Sequence, residues 1–159
     1  MNKTVLIQQI IAALTEELEG YTRSALSAHA EATDPQNKAE NKYDTRGLEA
    51  SYLAHGQSRQ AAEVAAAIRQ YQTLVVPPFS AKVAIDLGAL VELEQHGERN
   101  LYFIGPSAGG TELSLEQRTV MVITPQSPLG QVLMGQTCGA KVTMEGRGAK
   151  QVCRVLAVT

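Results

Sequence analysis

The first 75 residues repeat apolar or small side chains at a helical interval. Ile7, Ile11, Leu14, Leu18, Tyr21, Ala25 and Ala28 follow one another in steps of 4, 3, 4, 3, 4 and 3. Threes and fours in alternation average 3.5 residues, the spacing of one buried seam along a coiled coil. The flanking positions carry Gln8, Gln9, Glu16, Glu17 and Arg23, which suit the solvated side. The pattern predicts a helix over about residues 4–31, roughly 42 Å long at 1.5 Å per residue. A breaker follows, Thr33-Asp34-Pro35-Gln36-Asn37. Pro35 stops simple continuation and pushes Asp34 towards extended backbone. A second seam then runs through Leu53, Gln57, Ala61, Val64, Ile68, Tyr71 and Val75, in steps of 4, 4, 3, 4, 3 and 4. Alanines at 62, 65, 66 and 67 favour helix. Each helix needs a surface for its seam, and a short polar connection offers only the other, so the two are expected to pair antiparallel.

The pattern changes near residue 75. Residues 1–75 hold one Pro and three Gly, whereas 76–159 hold five and ten. Pro77-Pro78-Phe79-Ser80 reads as a linker. Beyond it, period-two runs predict strands at Val83–Ile85, Ala89–Leu93, Leu101–Ile104 and Val120–Ile123. Lys141–Met144 is expected to pair with Gln151–Val158 through the Gly-rich turn Glu145–Ala149. One helix interrupts the strands. Ser127 stands at its N-cap, Pro128 at its first position and Gly135 just past its end. The expected fold class is α+β: an antiparallel helical hairpin of coiled-coil type over 1–76, a linker at 77–80, and a small antiparallel β domain with one short helix over 81–159.

Composition narrows the function classes. Apolar residues make up 44% of the 159, enough for a core, and the formal net charge is −2. No basic excess points to nucleic-acid binding by bulk electrostatics. No apolar run reaches the roughly 18–20 residues of a membrane span, and polar Gln8 and Gln9 interrupt the N-terminal Val5-Leu6-Ile7. The expectation is a cytoplasmic chain, away from membranes. Cys138 and Cys153 then read as reduced thiols packed among apolar neighbours. His29, His55 and His96 lack the spacing of a triad or ligand set, although His29 and His55 are expected to face one another across the hairpin. Gly105–Gly110 lacks the Lys-Ser/Thr ending of a phosphate loop and reads as a plain connection.

Residues 123–135, reading ITPQSPLGQVLMG, resemble the C-terminal domain of the GreA/GreB transcription elongation factors, where a strand leads into a Ser-Pro helix and then a strand hairpin. Asp86-Leu87-Gly88-Ala89-Leu90-Val91 resembles that domain's first strand, and the order of hairpin then β domain matches along the whole chain. The resemblance implies an FKBP-like β domain. It also implies a hairpin that enters the secondary channel of bacterial RNA polymerase, with the nascent RNA 3′ end approached only indirectly. The factor is expected to act as a monomer with no cofactor of its own; acids at its tip share the polymerase's Mg²⁺, a hard cation that takes oxygen ligands.

The family tip reads D-x-x-E-N, and Asn37-Lys38-Ala39-Glu40-Asn41 matches it with an amide at the Asp position. Glu40 and Asp44 are the catalytic, metal-proximal candidates. Asp34, Asn37, Asn41, Tyr43, Arg46, Ser127 and Pro128 are candidate polymerase contacts. Two bland readings stand beside these: helix capping by Asp34 or Asp44, and a packing lid for Tyr43. Three functions remain open. They are a factor that modulates backtracking or transcript cleavage, a non-cleaving channel regulator favoured by Asn37, and a prolyl isomerase, which the scarcity of aromatics beyond Tyr102 and Phe103 disfavours. The enzyme question thus reduces to stimulation of the polymerase's own cleavage.

Overall fold

A computed structural model describes residues 2–38, 45–145 and 150–159. Two long helices come first, α1 over Lys3–Thr33 and α2 over Arg46–Gln72. Six strands and a short helix follow: β1 Leu90–Gln95, β2 Glu98–Ile104, β3 Glu112–Leu115, β4 Arg118–Ile123, α3 Pro128–Leu133, β5 Lys141–Glu145 and β6 Lys150–Val158. This is the expected α+β class. By packing, the chain divides into residues 1–10 with 70–159, and residues 11–69. The compositional partition at 76–81 therefore differs from the packing one, because the ends of both helices belong with the sheet.

The α1 seam is as the spacing predicts. Ile7, Ile11, Leu18, Tyr21 and Ala25 are half-buried, and Leu14 and Ala28 are buried. Near the N-terminus the covered face is wider, and Leu6 and Ile10 are wholly excluded from solvent. The α2 seam needs correction. Leu53 is 55% exposed and Val75, beyond the helix, 83% exposed. A covered line runs through Gly47, Ala50, Ala54, Gln57, Ala61, Val64, Ile68 and Tyr71, with Ala65, Ala66 and Ala67 also half-buried. The line's steps of 3 and 4 alternate without a break. Small residues carry the seam along the first half of α2, and the adjacent Leu53 misleads a reading by hydrophobicity alone.

The sheet order is β3-β4-β2-β1-β6-β5. Every pairing is antiparallel except β2 with β4, which is parallel, so the sheet is mixed rather than wholly antiparallel. Alternation along the strands gives it two buried faces. Leu90, Phe103 and Val122 lie in register across one face, and all three are buried. The other face carries Val91, Leu93, Ile104, Val142, Cys153 and Val155, packed with Ile85 and Leu133. Val83–Ile85 is not a strand. Instead Ile85 alone is inserted in the core, donating to the Gln136 carbonyl at 2.7 Å and accepting from Gly135 at 2.9 Å. Both cysteines are free; Cys153 is buried and Cys138 half-buried.

Two hairpin turns place both central residues at positive φ, as type I′ turns require. His96 and Gly97 (φ 52° and 84°) join β1 to β2, which suits the Gly. Glu116 and Gln117 (φ 51° and 64°) join β3 to β4 without any glycine. Left-handed backbone costs an L-residue about 1–2 kcal/mol. Replacing Gln117 with Gly is expected to stabilise the chain by about 0.5–1 kcal/mol, after the added freedom of the unfolded chain is subtracted. Urea midpoints of the two proteins at equal m-value check this.

Candidate functional site

The end of the helical hairpin is built by local capping. Thr33 closes α1 with its hydroxyl donating to the His29 carbonyl at 2.9 Å. Asp34 is extended, as its place before Pro35 demands, and caps a single 3₁₀ turn over Pro35–Asn37. Its carboxylate accepts the Gln36 N–H at 2.8 Å. Thr45 precedes α2 and its hydroxyl donates to the Glu49 carboxylate at 2.8 Å. Glu49 lies in the first turn of α2, where the helix dipole favours an acid.

The two helix ends are tied directly. Arg46 Nε lies 3.6 Å from Glu31 Oε1, with the side chains 69% and 49% exposed. A pair so solvated contributes only about 0.2–1 kcal/mol. Arg46 therefore meets α1 within the chain, and Asp34 serves as a cap. Neither role bars contact with a partner, because both side chains remain on the surface. Asn37 ends the 3₁₀ turn. Glu40, Asn41, Tyr43 and Asp44 lie outside the described residues. In the sequence, residues 31–49 carry Glu31, Asp34, Glu40, Asp44 and Glu49 against Lys38, Lys42 and Arg46, an acidic excess of two. Among the described residues, no three His, Cys, Asp or Glu side chains are grouped as a metal site would need.

One side of the hairpin holds a groove of about 500 Å³. Ala25, Leu26 and His29 of α1 line it with Ser51, Ala54 and His55 of α2. The two histidines share it, as the sequence implies. Leu26, Leu48, Tyr52 and Leu53 are all more than half exposed on this part of the hairpin. Leu48, Tyr52 and Leu53 stand between the small covered residues of α2, and Leu26 belongs to α1.

Ser127 and Pro128 belong to the sheet unit and build α3. Ser127 Oγ accepts the Gly130 N–H at 3.0 Å and donates to the Thr124 carbonyl at 2.7 Å. Pro128 takes the first helical position, where no N–H is needed. Both also line a cavity of about 680 Å³ beside the sheet, so capping leaves them accessible to a partner. No described helix is long and apolar enough to cross a membrane.

No family model matches the chain, and no curated protein does. Solved structures are similar to it. The GreA factor homolog 1 (Gfh1) protein of Thermus thermophilus is 24% identical, over 94% of each chain, with a TM-score of 0.39. The Gfh1 protein of Thermus aquaticus is 22% identical over 92% of each, with a TM-score of 0.40. A transcription elongation factor GreA/GreB from Nitrosomonas europaea is 19% identical over 65% of this chain and 79% of its own, with a TM-score of 0.37.

Proposed function

We propose that the chain is a transcription factor that binds bacterial RNA polymerase, places its helical hairpin in the secondary channel and modulates backtracked complexes. One observation supports this above the rest. A hairpin of two long helices with unbroken heptad-like seams precedes, in one chain, a sheet whose short helix is capped by Ser127 and begins at Pro128. A hairpin held by such seams is stiff enough to carry a tip into a narrow cavity. The sequence supplies Glu40 and Asp44 at that tip, oxygen donors of the kind a hard cation takes. Any Mg²⁺ in this reading is the polymerase's own. Glu40 and Asp44 would help hold that cation, which would supply charge neutralisation at the scissile phosphate.

Asn37 supports a second reading, a regulator that occupies the channel without cleavage. An amide there carries no charge to polarise a metal-bound water. The two readings separate in one experiment: co-purification with core RNA polymerase, then a transcript-cleavage assay on stalled complexes. Binding with stimulated cleavage, lost to the level of polymerase alone in Glu40→Ala with Asp44→Ala, supports the first. Binding without stimulation, restored in part by Asn37→Asp, supports the second. Absence of binding removes both.

A further inference from the structure

The short helix α3 leaves its side of the sheet partly uncovered. Tyr102 and Met121 sit side by side on β2 and β4, and Met144 lies opposite Gln151 on β5 and β6. These positions alternate onto the face that holds the core, yet Tyr102, Met121 and Met144 remain only half-buried. Leu129 and Val132 of α3 are half-buried too, while Leu133 is fully covered. Between them lies the cavity of about 680 Å³. Apolar side chains at core-facing positions around an open space of this volume are what a ligand pocket requires, and the usual range is roughly 300–1,000 Å³.

We propose that this cavity binds a small, uncharged, mainly apolar molecule of about dipeptide size. Its chemistry follows from the lining. Among the described residues none that lines it is charged. A ligand charge buried there would meet no partner and would keep its full desolvation cost. Met121 and Met144 give adaptable walls, since thioether chains repack around irregular apolar shapes. Polar groups lie on both walls, Ser127 and Gln131 on the α3 side and Tyr102 and Gln151 on the sheet side. Gln151 accepts from Gln95 Nε2 at 2.7 Å through its carbonyl oxygen, which leaves its amide N–H groups for a ligand carbonyl. Burial also holds the Tyr102 hydroxyl above its ordinary ionisation range.

Methionine methyl NMR tests this on the full chain, with N-acetyl-leucyl-phenylalanine amide as the probe and its free acid as the charged match. The Met121 and Met144 methyls are expected to shift saturably with the amide. Met134, which does not line the cavity, is expected to stay in place. The free acid is expected to bind about tenfold more weakly or worse, as an unpaired charge implies. The proposal is overturned if the amide produces no saturable shift, if amide and acid bind alike, or if Met134 shifts together with the other two.

Discussion

Gly130→Ala is expected to lower the stability of the sheet unit by about 3 kcal/mol, the upper end of what overpacking usually costs. An added Cβ at Gly130 would fall well inside van der Waals contact of the Thr124 carbonyl oxygen and also crowd Ser127 Oγ. That carbonyl is backbone. It already accepts the Ser127 N–H at 3.0 Å and the Ser127 hydroxyl at 2.7 Å. It cannot move aside without breaking the cap that starts α3. A flexible side chain would yield cheaply, but here the whole segment 124–130 must shift. Gly130 N–H also donates to Ser127 Oγ, so the displacement removes a second capping bond. For a chain of this length, about 3 kcal/mol corresponds to roughly 6–12 °C in Tm. Thermal unfolding of wild type and variant measures it. A loss below about 1 kcal/mol would mean that the Ser127–Gly130 turn is looser than its geometry implies.

This turn was legible in advance because its signals are chemical. Ser at the N-cap, Pro at the first position and Gly after the last each answer a distinct backbone need, so three residues agree on one helix. The α1 seam was legible for a similar reason, since large apolar residues hold the 3.5 spacing along most of its length. In α2 the same geometry is carried by Gly47, Ala50 and Ala54. Small residues occupy the covered face there without giving a hydrophobic signal, and the exposed Leu53 draws the seam one position aside. Strand β3 escaped notice because its turn is Glu116-Gln117, a left-handed pair with none of the residues that usually announce one. The parallel pairing of β2 with β4 could not be read either. Alternation places a residue on a face, but it does not choose the neighbouring strand. At the hairpin end, Asp34 was read both as a cap and as a contact, and the structure shows the cap. A cap needs only local bonding, whereas a contact depends on a partner whose shape is not written in this chain.

Tyr71 shows what a seam reading leaves out, and its removal is expected to cost as much as any core substitution. Read as one more apolar step, it is in fact 1% exposed and polar at its tip. Its hydroxyl donates to the Ser107 carbonyl at 2.7 Å, tying the last turn of α2 to the loop after β2. Gly105 makes room for it, because a Cβ there would collide with the phenol oxygen. Tyr71→Ala removes a buried ring and is expected to cost about 3–5 kcal/mol. Tyr71→Phe keeps the ring but leaves the Ser107 carbonyl without its donor, for about 1–2 kcal/mol. The pH dependence separates the hydroxyl from the ring. Burial pushes the Tyr71 hydroxyl well above its ordinary value of 10.0. Below pH 10 it is neutral whether the chain is folded or not, and it contributes no slope. Above pH 10 the unfolded chain gives up this proton while the folded chain keeps it. The native state then binds more protons, so stability falls as pH rises, by up to about 1.4 kcal/mol per unit. The phenylalanine variant lacks that slope. Its deficit against wild type, measured by urea unfolding, is therefore expected to hold steady to about pH 9 and to narrow above pH 10. A deficit that stays constant through pH 11 would show that the hydroxyl ionises alike in both states, whereas no deficit at any pH would show that the ring alone accounts for the role of Tyr71.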